Sequence, residues 1–192
     1  MIKKFFSEIK QFVNFIAIYF PGNSGILLRR VLYKVRLNSL GNNLFTQIGF
    51  RLSCPKNINI GDNVRLLQGS SLNSCKGKIN IGNNVSINTN TDINASDGGE
   101  IEIGNDVLIG KNVYIRASDH VYLDTKKIIS QSGYDSGKIK IGNNVLIGSN
   151  CVILKNVTIK DGSVIESGSV VKKDVGENEF VTSNSQINNK FQ

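Results

Sequence analysis

Tryptophan is missing from this 192-residue chain, and proline, histidine and methionine nearly so, at two, one and one residue. Each scarcity excludes something. One histidine and three scattered cysteines cannot supply the three or four clustered nitrogen and sulfur ligands of a zinc site, so the sequence calls for no metal. Cys54, Cys75 and Cys151 are odd in number, and no pair has metal-site spacing. With no secretory signal ahead of them, they predict a reducing, cytosolic location. No Gly-X-Y period and no Walker loop occur, and the glycines recur singly, unlike a dinucleotide fingerprint. Sequence-specific nucleic-acid binding is excluded too, because no recognition motif or stripe of interleaved aromatics is present.

What the chain does have is a six-residue beat. Aliphatic residues stand at Ile141, Ile147, Ile153, Ile159, Ile165 and Val171. Four residues after each of the first five comes a small or β-branched one: Val145, Cys151, Val157, Ser163 and Ser169. A helix of period 3.6 cannot keep a strict six-residue repeat on one face. Short strands separated by tight turns can, if they wind into a β-solenoid with the aliphatic residues inward. Three hexads make one coil of a three-sided prism. Nineteen glycines suit its many turns, and scarce proline suits parallel ladders that need every backbone N–H.

One phrase recurs: Ile60-Gly61-Asp62-Asn63-Val64, then from Ile81, Ile103 and Ile141. Its Gly-Asn-Asn or Gly-Asn-Asp corner suits left-handed backbone angles, so these asparagines are structural. Starts lie 21, 22 and 38 residues apart against 18 for a plain coil, which leaves excesses of 3, 4 and 20 residues. Each excess is a loop budding from a corner, and the long one, 119–138, marks a binding face.

The expected organisation is a basic amphipathic helical segment over 1–47, a solenoid over 48–175 and a tail over 176–192 that caps the stack. Residues 1–36 carry a charge of +6, with Glu8 the one acid. Phe5, Phe6, Ile9, Phe12, Val13, Ile16 and Phe20 recur at helical spacing, but Lys3, Lys4, Glu8, Lys10 and Gln11 interrupt the run, so it is not a clean membrane span. Two readings of this segment stand: a helix packed on the solenoid end or a neighbouring subunit, or one lying on an anionic membrane. The only imidazole, His120, sits at the root of the long excursion, where it could take a proton from an attacking alcohol or amine.

The run from Ile141 to Val175 resembles the C-terminal coils of the hexapeptide-repeat acyltransferases, which are left-handed parallel β-helix proteins, and the resemblance extends over 48–175. It is nearest to the sugar and surface-polysaccharide O-acetyltransferases. It implies a homotrimer with active sites between subunits, acetyl-CoA as co-substrate and a sugar or glycan acceptor, lipid-linked in some members. It also implies a histidine base, here His120 preceded by Asp119, and a catalytic asparagine one coil earlier, read as Asn88 with Asn90 as the alternative. Gly148, Ser149, Ser167 and Gly168 match the CoA groove, and Lys172 and Lys173 are available for its phosphates. Departures stand beside these matches: Leu146 where tryptophan is usual, Lys155 where proline is, and no Pro-Ala-Lys ending. The function implied is direct acetyl transfer to a sugar hydroxyl in the cytoplasm, near the inner face of the membrane. N-acetylation of an amino sugar and a non-catalytic, glycan-binding trimeric module are the alternatives.

Overall fold

The computed structural model describes residues 2–123, 126–182 and 187–189. Among them two helices, α1 (Ile2–Tyr19) and α2 (Gly22–Arg36), precede a parallel β-solenoid with three faces. The first face stacks Ser39–Leu40, Ile58–Ile60, Lys78–Ile81, Glu100–Ile103, Lys138–Ile141 and Thr158–Ile159. The second runs from Phe45–Thr46 through Arg65–Leu66, Ser86–Ile87, Leu108–Ile109, Leu146–Ile147 and Val164–Ile165 to Glu179–Val181. The third holds Arg51–Ser53, Ser71–Asn73, Asp92–Asn94, Tyr114–Arg116, Val152–Ile153 and Val170–Val171. Along these three faces each strand therefore pairs in parallel with the one a full coil away.

The hexad explains the interior. Ile101 pairs with Ile79 and Ile139, and Ile109 with Ile87 and Ile147, so like residues stack rung upon rung in a dry core. The small positions carry their own bonds: the single Ser163 O–H is within reach of two carbonyls, Lys160 at 2.8 Å and Gly176 at 2.7 Å, and Ser169 Oγ donates to that of Glu166. At the first corner Asn43, Asn63, Asn84, Asp106 and Asn144 all have φ between 53° and 58°. Their side chains form a ladder, Asn43 Nδ2 to Asn63 Oδ1 at 3.0 Å, Asn63 to Asn84 at 3.0 Å and Asn84 to Asp106 at 2.8 Å. The preceding glycine is required because a Cβ on Gly82 would stand 2.6 Å from the Gly104 carbonyl oxygen one coil on. The asparagines of the phrase are thus used in building the corner.

Three features depart from the sequence reading. Strands pair from Ser39, opposite Asn59, so the ladder starts ahead of residue 48, where the rhythm is still loose. Past Gly176, Glu179–Val181 adds a last rung to the second face and Ile187–Asn189 returns antiparallel against it. Cys54 and Cys75 form a disulfide, with Cα atoms 5.0 Å apart on consecutive coils. Their separation of 21 residues equals the local coil spacing from Ile60 to Ile81, and that spacing brings them together. The cysteine count therefore gives no support to a reducing compartment. Cys151 is a buried thiol, and burial pushes its pKa up.

Arg29 fastens the helices to the solenoid. Its guanidinium, 1% exposed, donates through Nη1 to the carbonyls of Ala17 (3.0 Å) and Phe20 (2.9 Å) and through Nη2 to that of Thr46 (2.9 Å). Nε also reaches Thr46 Oγ1 at 3.1 Å. The buried cation sits at the negative end of α1 and bridges both helices to the first coil. Arg29→Ala leaves those acceptors without a donor and is expected to cost roughly 3 kcal/mol of stability, read as a fall in the urea midpoint.

Candidate active site

The third face carries the chain into the long excursion. After Tyr114–Arg116, Ala117 turns inward, and Ser118–His120 leaves the prism as a strand paired antiparallel with the returning Tyr134–Ser136. This hairpin base puts His120 opposite Tyr134, with ring centroids 4.4 Å apart. Lys155 ties the return strand to the next coil by an ion pair with the Asp135 carboxylate and a 3.2 Å bond to the Asp135 carbonyl.

A cleft of about 400 Å³ opens beside the exposed imidazole, lined by Tyr114, Arg116, Ser118, Asp119, His120, Tyr122, Leu154, Lys155 and Lys172. That volume is enough for a sugar-sized ligand. Arg116 frames it, donating from Nε to the Ser118 carbonyl at 2.7 Å and from Nη1 to the Tyr114 hydroxyl at 3.2 Å. Its pKa is raised above the ordinary value, first by the bond with Tyr114 and further by the Asp119 and Asp97 carboxylates, so it is a fixed cation. Asp119 Oδ1 accepts the backbone N–H of His120 at 2.8 Å, which holds the histidine backbone at the cleft rim. Ser118 Oγ is buried, lines the same cleft and has no hydrogen-bond partner among the described residues.

Of the residues singled out from sequence, the fold gathers His120, Asp119 and Lys172 around this cleft. The others lie elsewhere. Asn88, Gly148, Ser149, Ser167 and Gly168 stack along the corner between the second and third faces, because Ile87, Ile109, Ile147 and Ile165 are in register. There Ser149 Oγ accepts the Lys111 N–H at 3.2 Å and Ser167 Oγ that of Ser149 at 3.0 Å, while Asn88 Oδ1 accepts the Thr89 N–H at 2.8 Å. Asn90 is in the left-handed region on this same corner, at φ 57°. Lys173 follows the last strand of the third face. Arg116, Tyr114, Ser118 and Leu154 are among the cleft residues to which sequence reasoning gave no role, and Lys155 entered it only as a departure from the usual proline. The signal for Arg116 was its place as a cation on an outward position at the foot of the excursion.

Comparison with known proteins agrees with this architecture. Residues 138–173 match the model of the bacterial transferase hexapeptide (six repeats). No curated protein matches the sequence. Among solved structures, galactoside acetyltransferase in complex with coenzyme A is 27% identical, with 93% of this chain and 76% of that one covered at a TM-score of 0.62. A hexapeptide-repeat-containing acetyltransferase from Vibrio cholerae O1 biovar eltor, complexed with acetyl coenzyme A, is 28% identical over 83% of this chain and 74% of that one, at 0.56. AntD, an N-acyltransferase from Bacillus cereus in complex with dTDP and 3-hydroxybutyryl-CoA, shares 22% identity over 83% and 85% of the two chains, at 0.71. Six-residue rungs on three parallel faces and these matches agree on a β-solenoid that carries the bacterial transferase hexapeptide over residues 138–173 and is similar to acetyltransferases solved with coenzyme A.

Proposed function

We propose that this chain transfers an acyl group from acyl-CoA to a sugar held in the His120 cleft, with the amine of an amino sugar as the accepting group. The observation that carries the reading is the single imidazole at the mouth of a sugar-sized cleft, framed by Arg116. His120 takes a proton as the acceptor nitrogen attacks the thioester carbonyl. The new C–N bond forms as the C–S bond breaks, and the proton passes from His120 to the departing thiolate. Ser118 Oγ, a buried hydroxyl at the cleft without a hydrogen-bond partner among the described residues, fits a polar atom of the bound reactants. The cofactor-binding candidates fit an extended ligand: a Cβ on Gly168 would meet no atom within 4 Å, so the edge there is open, and Lys172 reaches the cleft.

Because Asn88, Gly148, Ser149, Ser167 and Gly168 lie on a different corner from His120, one copy does not assemble every candidate. A homotrimer in which that edge of one copy faces the cleft of the next would assemble the full set, with Asn88 orienting the acceptor. AntD has been solved with dTDP-4-amino-4,6-dideoxyglucose, which supports the amine over the hydroxyl read from sequence. Galactoside acetyltransferase supports the second reading, O-acetylation of a sugar hydroxyl. Assaying CoA release with dTDP-4-amino-4,6-dideoxyglucose and with hydroxyl-only galactosides separates them. The amino sugar is expected to turn over at least about tenfold faster, and faster transfer to the galactosides would reverse the assignment.

A further inference from the structure

We infer that the two N-terminal helices form a docking surface for an anionic lipid bilayer, on which the solenoid stands end-on. Of the described side chains of α1, only Ala17 is buried. Phe12 is 64% exposed and Phe15 60%, with Ile9, Ile16 and Tyr19 open beside them. Helix α2 buries Gly25, Arg29 and Tyr33, against the end of α1 and the solenoid, and leaves Leu27, Val31 and Val35 outward, the last 70% exposed. Apolar side chains bared at this density over two adjacent helices mark a surface that something covers.

The charge identifies the cover. Residues 1–61 hold nine Lys and Arg against Glu8 alone, which is the entire net charge of +8. The other 131 residues balance, with fourteen of each sign. On α2, Arg30 and Lys34 run beside the Val31 and Val35 stripe. A second copy brought against this face would meet the same positive field, whereas anionic headgroups meet it with the opposite sign. Aromatic and aliphatic residues flanked by cations are the composition of a helix that lies in the interface. No helix among the described residues is long and apolar enough to cross a membrane, so the pair lies on the bilayer rather than spanning it. Arg29 fixes the pair to the first coil, while the His120 cleft begins on a later coil and opens on the third face, so the docked helices leave it free.

The test is co-sedimentation of the full chain with vesicles of phosphatidylcholine alone and of phosphatidylcholine mixed with phosphatidylglycerol, at low and high salt. Binding to the mixed vesicles is expected to be stronger by about tenfold or more and to weaken with salt. Leu27→Ser/Val31→Ser/Val35→Ser should lose binding to both vesicles, and Arg30→Glu/Lys34→Glu should lose the preference for anionic lipid. Melting temperatures near that of the parent chain would show that these variants stay folded. Equal binding to both vesicle types, or none, would overturn the inference. So would a drop in solution mass of the triple variant without any vesicle binding by the parent, since the face would then cover another copy. None of these outcomes depends on the catalytic assignment.

Discussion

Replacing His120 by alanine is expected to lower kcat by about 10²- to 10⁴-fold, measured as CoA release with the acceptor saturating. The change removes the proposed base and leaves the scaffold alone. The His120 side chain is exposed, and the bonds that hold its segment do not use the imidazole: the backbone pairing with Tyr134, the His120 N–H donated to the Asp119 carboxylate and the Arg116 bond to the Ser118 carbonyl. Stability should therefore stay near the parent's, with the tilted ring contact between the imidazole and Tyr134 forfeited. KM for acyl-CoA should change little, because Gly148, Ser149, Ser167 and Gly168 lie on the corner between the second and third faces and the change leaves Lys172, the candidate at the cleft, in place. A variant that keeps the parent rate would sink the base assignment outright. One that loses rate together with thermal stability would show that the ring stacks structurally instead.

The prism was legible because its cause is local. An aliphatic residue every six positions can be satisfied by few structures, and the Gly-Asn-Asn phrase states the corner geometry in residue types alone. Excess length between phrases located the excursion in the same way. His120 was legible because the chain has only one imidazole and the excursion begins beside it. What stayed hidden depends on neighbours far along the chain. The pairing of Cys54 with Cys75 needed the coil spacing to be applied to the cysteines as well as to the isoleucines. The ion pair of Lys155 with Asp135 joins a plain turn to a loop twenty residues away, and no periodicity announces it. Ser39 and Phe45 enter the ladder from a stretch whose hexads are broken, so their strand character comes from pairing with Asn59 and Arg65 rather than from pattern. The separation of Asn88 from His120 is a matter of which corner each occupies, and that becomes visible only once all three faces are in register.

Arg116→Ala is expected to lower kcat by about 10²-fold without Arg116 needing to touch the reacting atoms, which makes it a positioning residue. Its Nε bond to the Ser118 carbonyl, at 2.7 Å, holds the backbone two residues before His120, at the point where the chain leaves the third face. The bond to the Tyr114 hydroxyl fixes the guanidinium from the other side. Without the clamp the Ser118–His120 strand keeps its pairing to Tyr134–Ser136 but loses its side-chain tie to the third face, and the imidazole loses its fixed distance from the acceptor. A displacement of about 1 Å is enough for a loss of this size. Arg116→Lys keeps the charge but cannot donate along two fixed directions, so it should recover only part of the rate. Two readouts separate positioning from a merely structural role. The melting temperature should hold near the parent's, since Arg116 is half-buried on an outward position. The loss should fall on kcat more than on KM for the acceptor. If KM rises while kcat is kept, Arg116 binds the acceptor directly and the clamp on Ser118 is incidental.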